Sequence, residues 1–356
     1  MKDHLRASLA PVALAGALAI GLGQGAAAVD YEELKRIAEE NGIGELRMIE
    51  AGGPSGDSIE KGYLDPFTEK SGVRVVRENP SGLGKLRAMV EAGAITAVLL
   101  ELGSPELEQA KALDLVEPLD WDAIDPQPMF EEAKDEHGYG YQYYSTIMAW
   151  REDVPAPANW QEFWDTEAFP GRRALPDYPA FILPMAALAD GVPVDELYPL
   201  DLDRAFASLE RIKDDVAVWW QAGAQPPQLL QDNEVQYAAA WSGRVAGQEG
   251  VAYSFNEGQL DVAFFVVPKG ADADQKALAM GIFHEMSVAE NQAVAAEIVS
   301  YTGNSPDLEA LLPKDRLGEF PTTQANKDVQ ILTDARWWFE NADEVELRWQ
   351  EFKLGL

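Results

Sequence analysis

Tyr139-Gly-Tyr-Gln-Tyr-Tyr-Ser-Thr-Ile-Met-Ala-Trp-Arg-Glu152 decides the reading of this chain. It holds four tyrosines, a tryptophan and a run of β-formers between an acidic, helix-rich first third and a Pro/Trp-rich middle. A second stretch of the same kind, Asp261-Val-Ala-Phe-Phe-Val-Val-Pro-Lys-Gly270, follows much later. Aromatic and β-branched enrichment with turn residues at the ends marks both as strands. The expectation is that these two strands join two lobes, and that a ligand is held between the lobes beside them.

Working outward, strands and helices alternate on both sides of this pair. Before it, strands are expected over 46–51, 73–77 and 97–102, with helices over 30–41, 58–71, 84–92 and 105–112. Between the two stretches the alternation restarts, with strands at 173–175, 216–220, 235–241 and 251–255. Helices 273–286 and 290–301 follow the return strand, and the C-terminal part is helix-rich. Alternation of this kind gives an α/β fold with largely parallel sheets. The second α/β unit is inserted into the first, so the chain crosses out near Tyr144 and back near Phe264, and the crossing strands act as a hinge. The expected lobes are residues 29–145 with 262–300, and 146–261 with 301–356. In such sheets ligands lie at the carboxyl ends of the strands.

Length and composition agree. The 356 residues are 47% hydrophobic and 25% charged, enough for two cored domains. Residues 1–28 read as a secretory signal peptide: Lys2 and Arg6, an apolar run over 7–22, and small residues at Ala26-Ala27-Ala28 before Asp30. Cleavage near Ala28 and a periplasmic location are expected. Cysteine is absent, which removes disulfides, thiol nucleophiles and thiolate metal sites. The formal net charge is −33; residues 1–28 carry +1, leaving −34 on the remainder. That field repels nucleic acid and anionic lipid and favours cations, although a solvated acidic surface or a salt adaptation accounts for most of it.

Five motifs occur in order along the chain: Tyr63-Leu-Asp-Pro-Phe-Thr-Glu-Lys-Ser-Gly-Val-Arg-Val-Val76, Tyr143-Tyr-Ser-Thr-Ile-Met-Ala149, Trp160-Gln-Glu-Phe-Trp-Asp165 with Phe169-Pro-Gly-Arg-Arg173, Ala240-Trp-Ser-Gly-Arg244 and Val267-Pro-Lys-Gly270. This ordered set resembles the periplasmic solute-binding proteins of ABC importers, in the spermidine/putrescine-binding branch. The resemblance implies the type II two-lobed binding-protein fold, a small-molecule amine solute, delivery to an ABC permease, and no chemistry, cofactor or metal. A monomer is expected.

Candidate ligand residues follow. Trp241 resembles the stacking tryptophan of polyamine binders; a flat indole holds a cation at about 0.5–2 kcal/mol. The competing reading is a core tryptophan. Tyr144 and Ser145 lie on the crossing strand. Gly53, Ser55 and Ser104 follow the first and third strands, where backbone donors face a cleft; Ser104 equally suits a helix cap. Asp177 and Asp261 are the carboxylates for an ammonium, Phe264 an aromatic wall, and Gln225 a side chain within reach. Polyamine binders carry a pair of acids where this chain has Asp177 alone, which opens the alternative of another amine or an amino acid. Arg244 would repel a polyamine and favour a carboxylate if it faced the cleft; the expectation places it along the lobe surface. Tandem tyrosines also occur in ferric-ion binders, but no other hard ligands cluster with them. Phe283-His284-Glu285 lacks the second histidine of a zinc helix. A secreted hydrolase with paired carboxylates is the rival from another class; no spacing marks such a pair.

Overall fold

In the computed structural model, residues 29–356 are described. The expected signal peptide lies outside the described residues. Within them, no helix is long and apolar enough to cross a membrane.

Among the described residues nine strands form one mixed sheet: β1 (Glu45–Ile49), β2 (Arg74–Glu78), β3 (Leu99–Gly103), β4 (Gly138–Arg151), β5 (Arg173–Pro176), β6 (Val216–Trp220), β7 (Tyr237–Trp241), β8 (Val251–Val266) and β9 (Ile331–Leu332). Their spatial order is β2-β1-β3-β8-β4-β7-β5-β6, with β9 beside β8. β1, β2 and β3 are parallel, as are β5, β6 and β7; β4 and β8 run antiparallel to each other between the two sets. The long pair therefore spans the whole molecule, one end in each parallel set. Two register shifts interrupt it, between Gly140 and Gln142 and between Thr146 and Met148. Such bulges bend a strand and raise its twist.

The hydrophobic core is divided accordingly. One cluster gathers side chains from 34–144 and 260–295. Two others gather residues 147–255, joined by Trp338, Val345, Trp349 and Phe352 from the C-terminal helices. A small fourth cluster, Ala296, Leu308, Leu312 and Phe320, lies under the helix Ala289–Ile298.

Two features differ from the sequence expectation. Residues 251–266 form one strand rather than two, because the chain passes Asn256-Glu257-Gly258 with only a local kink, Glu257 at φ 55°. The helix expected over 58–71 starts at Gly53 and runs to Ser71 through a π-turn at Glu60–Leu64. After the helix Ala289–Ile298 the chain passes between the cores again. Thr302 bridges to Tyr143, β9 adds to β8 at Gln259 and Leu260, and Lys327 sits 3.5 Å from the Phe130 ring while pairing with Glu132 at 2.6 Å.

The Phe169-Pro-Gly-Arg-Arg173 motif is structural. Arg173 is fully buried, donates to the carbonyls of Phe163 and Phe169 at 3.2 and 2.7 Å, and stacks on Tyr237 at 4.8 Å. A buried guanidinium is tolerated here because backbone oxygens accept its protons.

Candidate ligand-binding cleft

The carboxyl ends of β1, β3, β5 and β7 converge on a cleft of about 590 Å³ with β4 and β8 as its floor. This volume is within the range of small-molecule sites. Its first wall is built by Ser55, the loop at Pro80–Gly82 and the end of β3 at Glu101. Across from it stand Tyr178, Phe181, Trp241 and Arg244. Gln142, Tyr144 and Asp261 form the floor, and Tyr301 enters from the segment after the helix Ala289–Ile298.

The aromatic side chains make a box. Trp241 lies 5.7 Å from Phe181 at 90° and 6.4 Å from Tyr144, with Tyr178 stacked at 6.4 Å and the buried Trp220 behind it at 5.1 Å. Tyr144 meets Tyr301 edge-on at 6.2 Å. Tyr178 is fixed by donating its hydroxyl to the Gln221 carbonyl at 2.7 Å. The indole N–H of Trp241 has no partner among the described residues.

Two carboxylates are buried beside this box. Asp261 accepts from Ser104 Oγ at 2.6 Å, from the Val262 N–H at 2.7 Å and from the Tyr144 hydroxyl at 3.2 Å. Burial nevertheless pushes its acid up to about 6, because desolvation of the anion outweighs these bonds. Glu101 accepts from the Ala51 N–H at 2.6 Å and the Tyr141 hydroxyl at 3.0 Å, and burial raises it to about 7. Burial likewise raises Tyr301, partly offset by the Arg244 guanidinium beside it.

Arg244 is the cation that lines the cleft, beside the Tyr301 side chain. Among the described residues no carboxylate lies within ion-pair distance of it, and its Nε has no hydrogen-bond partner. Its guanidinium reaches across the mouth: a Cβ placed on Gly53 would lie 3.9 Å from Nη1. Arg244 is thus not confined to the lobe surface, where the sequence places it; following β7 in the short helix Ser242–Val245, it lines the cleft.

Of the residues singled out in the sequence, Ser55, Tyr144, Trp241 and Asp261 line the cleft together. Ser55 donates to Gln142 Oε1 at 2.9 Å. Gly53 borders the cleft through Arg244. Ser104 reaches it only through Asp261, and lines a small rear cavity with Phe264. Ser145 is fully buried, its N–H donating to Ser242 Oγ at 3.2 Å. Gln225 closes its own turn, its Oε1 accepting from the Gln221 and Ala222 N–H groups at 2.8 and 2.9 Å. Asp177 faces away from the cleft: it accepts from Lys353 Nζ and from Gln221 Nε2, both at 2.7 Å. Burial works to raise Asp177, but those two donors hold it below the usual carboxylate range. Glu101 and Tyr301 also line the cleft and are not among the residues singled out in the sequence. Glu101 had a signal, a lone acid inside the apolar run Ala97–Leu102. Tyr301 had none, since a distant segment delivers it.

A family model described as bacterial extracellular solute-binding protein matches residues 62–322. A γ-aminobutyric acid-binding protein of Pseudomonas aeruginosa is 34% identical over 316 residues, 85% of this chain and 89% of that one. Among solved structures, an ABC transporter substrate-binding protein from Bradyrhizobium japonicum USDA 110 is 30% identical with a TM-score of 0.81, covering 86% of this chain and 99% of that one. The Atu4243-GABA receptor structure is 31% identical with a TM-score of 0.79, covering 86% and 97%.

Proposed function

The chain belongs to the bacterial extracellular solute-binding proteins of ABC importers, and from that premise we propose that it captures a small zwitterionic amino acid of the γ-aminobutyrate kind outside the cytoplasm and delivers it to a permease. The observation that carries this reading is Arg244, an arginine in the cleft with no carboxylate partner among the described residues, set around one aromatic box with the buried acids Asp261 and Glu101. A guanidinium is suited to a carboxylate, which it binds with paired, charge-assisted hydrogen bonds. A carboxylate beside an aromatic face suits an ammonium. A solute with both charges satisfies both ends.

A diamine does not. Its second ammonium would meet Arg244, and like charges in a desolvated cleft repel. The acid Asp177, whose expected role was to neutralise an amine, is neutralised by Lys353. The alternative opened by the sequence, an amino acid, is therefore favoured over a polyamine. The names of the relatives at 34% and 31% identity point the same way. The role is binding and release, and the reading involves no catalytic step.

Calorimetry with γ-aminobutyrate, putrescine and spermidine tests this. Wild type should bind γ-aminobutyrate and not the diamines, and Arg244→Ala should weaken that binding by about 2–5 kcal/mol, the usual penalty for removing one partner of a buried charge pair. Tight putrescine binding that Arg244→Ala leaves intact or improves would return the assignment to a polyamine.

A further inference from the structure

Two glycines stand behind the walls of the cleft, and neither is there for its backbone. Gly223 and Gly243 both lack the positive φ that reserves a position for glycine. Gly243 even lies within the helix Ser242–Val245, where glycine is unfavourable relative to alanine. Space explains both. A Cβ on Gly223 would meet Trp241 Cε3 at 2.6 Å and Cζ3 at 2.8 Å, and Arg244 Cγ at 3.4 Å. A Cβ on Gly243 would meet Tyr301 Cε1 at 2.5 Å and Cδ1 at 2.6 Å.

We propose that Gly223 and Gly243 set the length of solute the cleft accepts, by letting the Trp241 ring, the Arg244 stem and the Tyr301 ring lie back against the backbone. This inference rests on the amino-acid reading above and deepens it. The Trp241 indole cannot yield toward the core, because the fully buried Trp220 lies 5.1 Å away and Tyr178 and Phe181 flank it. Its open side is the cleft. A methyl group at 223 therefore moves the ring and the arginine stem toward the floor, shortening the span between the guanidinium and Asp261. A methyl at 243 advances Tyr301 from the other side toward Tyr144. Neither glycine touches the solute; both are positioning residues.

The prediction is a change in length selectivity, which general loss of packing would not produce. Calorimetry on the full chain with β-alanine, γ-aminobutyrate and 5-aminovalerate reads it out. In Gly223→Ala the affinity ratio of 5-aminovalerate to β-alanine should fall by about tenfold or more relative to wild type, the scale of one methylene misfit in a shaped pocket. Gly243→Ala should shift the ratio with the same sign. Trp241→Phe deletes the six-membered ring edge that the new methyl strikes, so in the Gly223→Ala background it should move the ratio back. Trp241→Phe alone should shift it toward longer solutes, and this variant carries the test should Gly223→Ala fail to fold by circular dichroism. An unchanged ratio, with all three affinities falling alike or with no recovery from Trp241→Phe, overturns the inference while leaving the amino-acid reading intact. A wild type that binds none of the three overturns the amino-acid reading, and this inference with it.

Discussion

Asp261 shows how a single residue couples the cleft to pH. Its side chain is anionic in water at neutral pH, but burial brings the acid up to about 6. An ammonium solute needs the anion. Binding should therefore be strongest above about pH 6 and weaken as pH falls through that value, by about tenfold at one unit below. The unliganded protein should follow the opposite trend. An acid whose folded value is raised contributes stability that is fully present below its unfolded value and is lost as pH rises through the folded one. Between pH 4 and pH 6 this amounts to on the order of 2–3 kcal/mol for Asp261, with Glu101 adding the same sign up to about pH 7. Asp261→Asn should flatten both slopes, which calorimetry and thermal unfolding across pH 4–8 would show; parallel slopes in wild type and variant would place the proton elsewhere. Asp261, Tyr144 and Trp241 could be singled out in the sequence because strand ends and neighbouring small residues are local signals. Asp177 met the same local criteria, and its partner Lys353 lies 176 positions away. No local pattern reveals a neutralising partner at that distance.

At the scale of elements, the β4–β8 pair was legible because both strands are dense in aromatic and β-branched residues. Their continuity was not. Asn256-Glu257-Gly258 reads as a turn, yet β8 runs through it as a kink because both flanks pair with β4. The path of residues 299–330 was not legible for a different reason: they have little periodicity, and their place is fixed by tertiary contacts such as Lys327 against Phe130. The same long-range packing makes the bulge in β4 intolerant of change. A Cβ on Gly140 would meet the Ala133 backbone at 2.7 Å and Val262 Cγ1 at 2.8 Å. Gly140→Ala should thus destabilise the protein by about 1–3 kcal/mol, the range for overpacking a close-packed site. Urea denaturation followed by tryptophan fluorescence would measure it. A variant as stable as wild type would mean that the strand can shift at this bulge without penalty.

The whole molecule puts opposite charges on opposite sides of its hinge. Glu101 extends from β3, within the first parallel set, and Arg244 follows β7, within the second. The floor residues Asp261 and Tyr144 lie on the strands that connect them, between the two bulges of the long pair. On the proposed amino-acid reading a zwitterion would engage both sides at once, whereas a solute with one charge would engage one. Closure about a hinge is driven by such differential contact, since a ligand shifts a conformational equilibrium only as far as its affinities for the two states differ. Closure must also work against the self-repulsion of a chain carrying −33, a term that salt screens with a Debye length of about 8 Å at physiological ionic strength. Solution scattering at that ionic strength should therefore show the radius of gyration fall when γ-aminobutyrate saturates the protein. Butylamine and butyrate, each keeping one of the two charges, should bind more weakly and leave it unchanged. Arg244→Ala should uncouple the two effects, because a solute held only at the acidic end no longer bridges the cleft. An unchanged radius with bound γ-aminobutyrate would mean that both charged ends are already within reach in the unliganded molecule, and that capture proceeds without closure.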